Sequence, residues 1–114
     1  MVTPQVQDAI NTQINNELSS SYNYLAMSAW CERTNYLGSA KWFRLQSAEE
    51  HGHATKMLDF LLHRYYPVKL KAVKEPKSEF SSLLDVFENA YKQEQDVSSQ
   101  IETLYGLAFQ EKSF

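Results

Sequence analysis

A carboxylate and an imidazole stand one helical turn apart in the middle of an otherwise largely apolar stripe. The stripe lies in a run that reads as one helix from about Leu37 to about Tyr65, and a three-four spacing marks its members: Phe43, Gln46, Glu50, His53, Met57 and Phe60. Residues at this spacing share the helix face that packs against neighbouring helices. A carboxylate on such a face is costly unless it is paired or bound to a metal ion. A Glu-x-x-His pair that points into a helical bundle is typical of dimetal carboxylate sites, so Glu50 and His53 are the first candidate metal ligands.

Length and composition fit one domain spanning residues 1–114. Of the 114 residues, 43% are hydrophobic, and only three are glycine and three proline, which suits a core of long helices. The net charge of −3 offers no basic stripe for phosphates, so we expect no nucleic-acid partner. Met1 to Ile10 lack a targeting pattern, and no apolar run approaches the roughly 20 residues of a membrane span. The single Cys31 cannot form an internal disulfide, and we therefore expect a cytoplasmic protein.

The preceding segment predicts a helix, α1, from Thr3-Pro4 to about Arg33, with Thr3 as N-cap and Pro4 at the first helical position. Its stripe again carries one carboxylate in the middle: Ile10, Ile14, Glu17, Ser21, Tyr24, Ser28 and Cys31. Leu18, Leu25 and Ala29 flank this stripe. Residues 34–38 form a short connector, so α1 and the helix of residues 37–65, α2, should form an antiparallel hairpin.

Residues 66–82 contain Pro67 and Pro76 and show no helical period. A segment of this length reaches roughly 55 Å when extended, whereas a helix of about 28 residues is about 42 Å long. The segment can therefore cross the whole bundle and start a third helix parallel to α2. This helix, α3, is expected from about Ser82 to Gln110, and its stripe is Phe87, Ala90, Glu94, Val97, Ile101, Leu104 and Ala108.

Each candidate ligand has an ordinary explanation when it is considered alone. A single glutamate in an apolar stripe is more often a surface residue of a slightly rotated helix. Tyr24 fits a core tyrosine, and His51 and His53 fit solvated histidines. The combination is more informative, because each predicted helix carries one mid-helix carboxylate and packing brings them to similar heights. Carboxylates with an imidazole suit iron or manganese, with zinc as a competitor.

Several motifs together resemble the non-haem ferritins of the bacterial type. They are Asn16-Glu17-Leu18, the run from Tyr24 to Cys31, the run from Ala48 to Ala54, Lys92-Gln93-Glu94-Gln95, and the proline-containing crossover. The resemblance covers the chain from Val6 to its end. It implies an all-α, ferritin-like up-down bundle with a long crossover, of which this chain supplies three of four helices. It also implies self-association, into a 24-subunit cage in an intact family member.

The resemblance implies a di-iron ferroxidase centre. In this pattern Glu17 holds the first iron, Glu50 bridges the two irons, and His53 completes the first iron. Glu94 holds the second iron, and Tyr24 lies beside the centre. The substrates would be Fe(II) and dioxygen or hydrogen peroxide, with ferric iron passing to a mineral.

Two further residues refine the comparison. Glu49 is expected to serve an accessory iron site. His51 occupies the position directly after the bridging glutamate, where haem-binding relatives place a methionine, so no haem is expected. Two other functions stay open: a rubrerythrin-like di-iron oxidase or peroxidase, and a helical interaction module whose buried charges only set register.

The resemblance also raises the question of a fourth helix. Residues 111–114 stand where the family turns towards that helix, so we expect the chain to leave an apolar groove on α1 and α3. A cleaved segment, a second copy or an exchanged element from another polypeptide should fill such a groove.

Overall fold

The computed structural model describes residues 2–111 and shows three helices and no strand within that range. The helices are α1 (Pro4–Arg33), α2 (Leu37–Leu62) and α3 (Leu83–Gln110). Thr3 caps α1 by accepting a hydrogen bond from the Val6 N–H at 3.3 Å, as predicted. Ser82 caps α3 in the same way by accepting from the Asp85 N–H at 3.0 Å. None of the helices in the described residues is long and apolar enough to cross a membrane.

Both α1 and α2 end through a residue in the left-handed conformation. Asn35 has φ 67° and Tyr65 has φ 60°. In each case the following N–H bonds back across the last turn, from Tyr36 to the Cys31 carbonyl at 2.7 Å and from Tyr66 to the Leu61 carbonyl at 3.0 Å. The helix ends at Leu62, so the predicted end at Tyr65 was wrong by three residues. A tyrosine in the left-handed conformation, unlike a glycine, gives no sequence signal for the end of a helix.

Helix α1 runs in the opposite direction to both α2 and α3. Ser28 donates to the Ala40 carbonyl at 2.7 Å, which pairs the end of α1 with the start of α2. Phe87 lies 5.0 Å from Phe43 between ring centroids, near the starts of α3 and α2. The C-terminal halves of α2 and α3 share an apolar cluster at the other end of the bundle. These contacts confirm that α1 and α2 are antiparallel and that α2 and α3 are parallel.

Two asparagines of α1 hold the crossover against the bundle. The Asn11 side chain donates to the Pro67 carbonyl at 3.1 Å and accepts from the Lys69 N–H at 2.8 Å. One turn later, Asn15 donates to the Lys69 carbonyl and accepts from the Lys71 N–H, at 2.8 and 2.7 Å. The extended crossover thus uses side-chain amides as partners for its backbone. Helical periodicity did not reveal these bonds.

The apolar core consists of two clusters separated along the bundle axis. One surrounds Tyr24, Phe43 and Val86, and the other surrounds Ile14, Ala54 and Leu61. Leu25 and Ala29, which were expected to flank the buried stripe, are exposed. The middle of the α1–α2 interface, between the clusters, is polar and buries serines and carboxylates. The predicted site therefore occupies a gap in the core.

The exposed apolar surface does not lie where the groove was predicted. An apolar cleft of about 440 Å³ is lined by Met57 and Phe60 of α2, by Leu104 and Ala108 of α3, and by the first turns of α1. The prediction of an apolar groove on α1 and α3 was wrong, because the cleft of about 700 Å³ between these helices and the crossover is lined mostly by polar and charged side chains. The open side of the bundle lies between α2 and α3.

Candidate metal centre

Two buried carboxylates face each other across the α1–α2 interface. Glu17 is 1% exposed and Glu50 is 5% exposed. His53 joins them: its Nδ1 lies 3.7 Å from Glu50 Oε2 and 3.9 Å from Glu17 Oε2. Potential ligand atoms of the three residues all lie within 4.8 Å of one another. The structure therefore brings together three of the residues that were predicted to bind metal.

A pair of serines brings the two helices close beside these carboxylates. Ser21 donates to the Ser47 carbonyl at 2.7 Å, and Ser47 donates to the Ser21 carbonyl at the same distance. Small side chains at a helix contact allow a close approach of the axes. Ser21 lies one turn after Glu17, and Ser47 lies one turn before Glu50. The close contact therefore turns both carboxylates towards the same space.

The environment of Glu50 disfavours its charged form. Burial, followed by the adjacent Glu17 carboxylate and the charges of Glu94 and Glu49, raises the pKa of Glu50 to about 9. The Oε2 atoms of Glu17 and Glu50 are buried and have no hydrogen-bond partner. Buried acceptors of this kind normally find a partner. Two unsatisfied carboxylate oxygens beside an imidazole are a suitable donor set for iron, manganese or zinc.

Tyr24 and Glu94 form a second part of the site. The buried Tyr24 hydroxyl donates to Glu94 Oε1, and its ring stacks on Phe43 with centroids 6.0 Å apart. Burial and the neighbouring Glu94 carboxylate raise the pKa of Tyr24, so the phenol keeps its proton. Glu94 itself is exposed on the open side of α3. It lines the same cleft of about 590 Å³ as Glu17, Glu50 and His53, but it is not part of their compact group.

Glu49 lies outside this arrangement. Its side chain is exposed on α2, and its connection with the centre is the charge that helps to raise the pKa of Glu50. The accessory role of Glu49 stays a prediction.

Several amide side chains that sequence reasoning missed tie the helices together beside the site. Gln13 donates through Nε2 to Glu17 Oε1 at 3.2 Å and to Gln100 Oε1 at 3.4 Å. Asn23 donates to Gln93 Oε1 at 2.8 Å. Gln13 precedes Glu17 by four residues, and this helical spacing is the one sequence signal that could have identified Gln13 as a neighbour of the site.

Comparison with known proteins identifies the wider group. The family described as "Ferritin-like domain" matches residues 7–114. The bacterial non-heme ferritin of Staphylococcus saprophyticus is 36% identical over 114 residues, which is all of this chain and 68% of that protein. The same-named protein of Staphylococcus aureus strain USA300 is 33% identical and is covered over 69% of its length.

Solved structures agree with these sequence matches. An open pore ferritin from the hyperthermophilic archaeon Archaeoglobus fulgidus superposes with a TM-score of 0.95 at 42% identity, covering 99% of this chain and 69% of the other. A humanized archaeal ferritin superposes with a TM-score of 0.96 at 38% identity, covering 100% of this chain and 69% of the other. With the fold, the Glu-Glu-His group and these matches in agreement, the chain belongs to the ferritin-like family.

Proposed function

We propose that this chain oxidises Fe(II) and contributes to iron storage. The observation that carries the proposal is the pair of buried carboxylates, Glu17 and Glu50, whose unpartnered oxygens face His53. Iron enters as substrate, with Glu17 and His53 holding one ion, Glu94 holding a second, and Glu50 placed to contact both. The names of the bacterial relatives, which are non-heme ferritins, support iron as the metal.

Each residue has a distinct part in this chemistry. Glu50 is protonated in the metal-free chain and releases its proton when a cation arrives, because a carboxylate binds metal in its ionised form. Tyr24 stays protonated and holds Glu94 at the rim by its hydrogen bond. Each ferrous ion gives up one electron. Two such electrons, with two protons, reduce dioxygen to hydrogen peroxide. The cleft between α2 and α3 gives small ions access to the carboxylates.

Anaerobic titration with Fe(II), followed by air, tests this function. We expect ferric absorbance to continue rising beyond about two irons per chain, because a storage protein moves oxidised iron away from the centre. Absorbance that stops at this ratio would instead indicate a rubrerythrin-like oxidase. If no ferric absorbance develops above a protein-free control, the buried charges serve only the helix packing.

Replacing Tyr24 with phenylalanine should preserve metal binding and slow oxidation. The ring stays in the core against Phe43, but Glu94 loses its hydrogen-bond donor. Loss of an outer hydrogen bond to a metal ligand typically reduces activity by about tenfold or more. Stopped-flow absorbance measures the oxidation rate, and calorimetry measures metal binding. Loss of metal binding itself would make Tyr24 a ligand or an essential packing residue.

We also propose that copies of the chain assemble, as ferritins do, and that they act in the cytoplasm. Large hydrophobic side chains on the outer faces of α1 and α2 support assembly, including Tyr22, Leu25, Leu37 and Leu45, which are 42–59% exposed. The free, buried thiol of Cys31 is compatible with a reducing compartment.

A further inference from the structure

We propose that Gln13 is a positioning residue for the metal centre, and this inference rests on the function proposed above. Its side-chain amide selects which oxygen of Glu17 is left for metal ions. The same amide ties that carboxylate to α3 through Gln100.

The hydrogen bond from Gln13 distinguishes the two carboxylate oxygens of Glu17. Gln13 is 3% exposed, and its Nε2 donates to Glu17 Oε1 at 3.2 Å. Glu17 Oε2 has no hydrogen-bond partner and lies 3.9 Å from His53 Nδ1. One oxygen is thus occupied within the protein, and the other faces the remaining ligands. Because the terminal torsion of a glutamate is broad, this bond restricts a rotation that the side chain would otherwise have.

A neutral amide suits this position better than a charged donor. Lysine or arginine would neutralise Glu17 and compete with an incoming cation for the carboxylate. The Gln13 amide fixes the carboxylate and leaves its negative charge in place. Ligands held by outer hydrogen bonds bind metal more tightly because less orientation is lost on binding.

The second hydrogen of the same nitrogen reaches across to α3. Nε2 of Gln13 donates to Gln100 Oε1 at 3.4 Å, so the two hydrogens of the amide serve two helices. Glu94 and Gln100 both belong to α3. The amide therefore couples the orientation of Glu17 to the position of the helix that carries the ligand on the other side of the cleft.

Titration with Co(II) tests this role without requiring turnover. Isothermal calorimetry and the visible absorption of bound Co(II) report the affinity and the ligand geometry. The test variant is Gln13→Met, which keeps the length and removes the amide. The matched control is Asn11→Leu, which removes partly buried hydrogen bonds from the same helix, to Pro67 and Lys69, without touching a candidate ligand.

We expect Gln13→Met to weaken Co(II) binding by about tenfold or more and to change the visible spectrum, as loss of an outer partner of a ligand does. Asn11→Leu should lower the unfolding midpoint and leave both readouts essentially unchanged. Equal Co(II) affinity in Gln13→Met and the parent chain would overturn the proposal. So would an equal loss in both variants, since that would reflect general loosening of α1.

A second variant covers the case in which Gln13→Met does not fold. Gln100→Met removes the bond to α3 and leaves the bond from Gln13 to Glu17. It should weaken Co(II) binding more than Asn11→Leu does, and equal Co(II) affinity in these two variants would overturn the proposal. Failure of the parent chain to bind Co(II) would instead reject the metal centre, and with it any positioning role.

Discussion

Replacing Glu50 with alanine should abolish rapid iron oxidation while the three helices remain formed. Glu50 is buried and forms a compact group with Glu17 and His53. It is also the carboxylate that we propose contacts both ions. Mutating even a residue that only hydrogen-bonds to a metal ligand typically lowers metal affinity or activity by about 10- to 100-fold. Loss of the proposed bridging ligand should therefore reduce the initial rate by more than about 100-fold relative to the parent chain.

The same change should not damage the metal-free fold. Glu50 Oε2 has no hydrogen-bond partner, and desolvation is the largest cause of the raised pKa of this residue. Removing an unsatisfied buried carboxylate is often neutral or stabilising. Circular dichroism checks the helices, and stopped-flow absorbance measures the rate. Asp59→Ala, an exposed carboxylate change on the same helix, is the control. An unchanged oxidation rate in Glu50→Ala would disprove the di-iron assignment.

Metal affinity and metal-free stability should respond to pH in opposite directions. The pKa of Glu50 is about 9 in the folded chain and 4.5 in an ordinary environment. The folded state therefore keeps a proton that the unfolded chain has already lost. The contribution of Glu50 to stability is complete below about pH 4.5 and is lost as the pH rises towards 9.

Cations must displace this proton, so their affinity should increase with pH. One displaced proton corresponds to up to about a tenfold gain per pH unit below the pKa, or about 100-fold between pH 6 and pH 8. Co(II) calorimetry and urea unfolding across this range measure the two trends. Glu50→Gln carries no titrating group at this position, so it should reduce the pH dependence of both the Co(II) affinity and the free energy of unfolding. If Glu50→Gln retains the slopes of the parent chain, the proton belongs to another residue.

The sequence predicted much of the fold because each helix carries a stripe of mostly uncharged residues at helical spacing and because α1 and α3 begin at recognisable N-caps, Thr3 and Ser82. It predicted both ends of α1, the crossover, the direction of α3 and the grouping of Glu17, Glu50 and His53. It could not predict the end of α2, where Tyr65 adopts a left-handed conformation without being glycine or asparagine. The turn is closed by local backbone bonds, from the Tyr65 N–H to the Leu62 carbonyl and from the Tyr66 N–H to the Leu61 carbonyl, which any residue type other than proline can form.

The polar contacts between elements were beyond prediction for a different reason. Bonds such as Gln13 to Gln100, or Asn11 to the crossover backbone, depend on the relative height of two elements to within about one ångström. Periodicity identifies the face of a helix and leaves its translation along the bundle undetermined. Tyr24 and Glu94 were assigned to the same centre from the resemblance, and the direct hydrogen bond between them is a contact of this kind that periodicity does not provide.

The uneven burial of α3 has a consequence for local stability. Its buried residues in the described range are Val86 and Ala90, both in its first turns, whereas α1 and α2 bury apolar residues along most of their length. Segments with few buried apolar contacts open at a lower free energy than the whole chain unfolds. Glu94 and Gln100 lie beyond these two buried residues of α3, whereas Glu17, Glu50 and His53 belong to the α1–α2 hairpin. For the di-iron centre proposed above, we therefore expect the first cation to bind at Glu17, Glu50 and His53, and the affinity for a second cation at Glu94 to include the entropic cost of ordering α3.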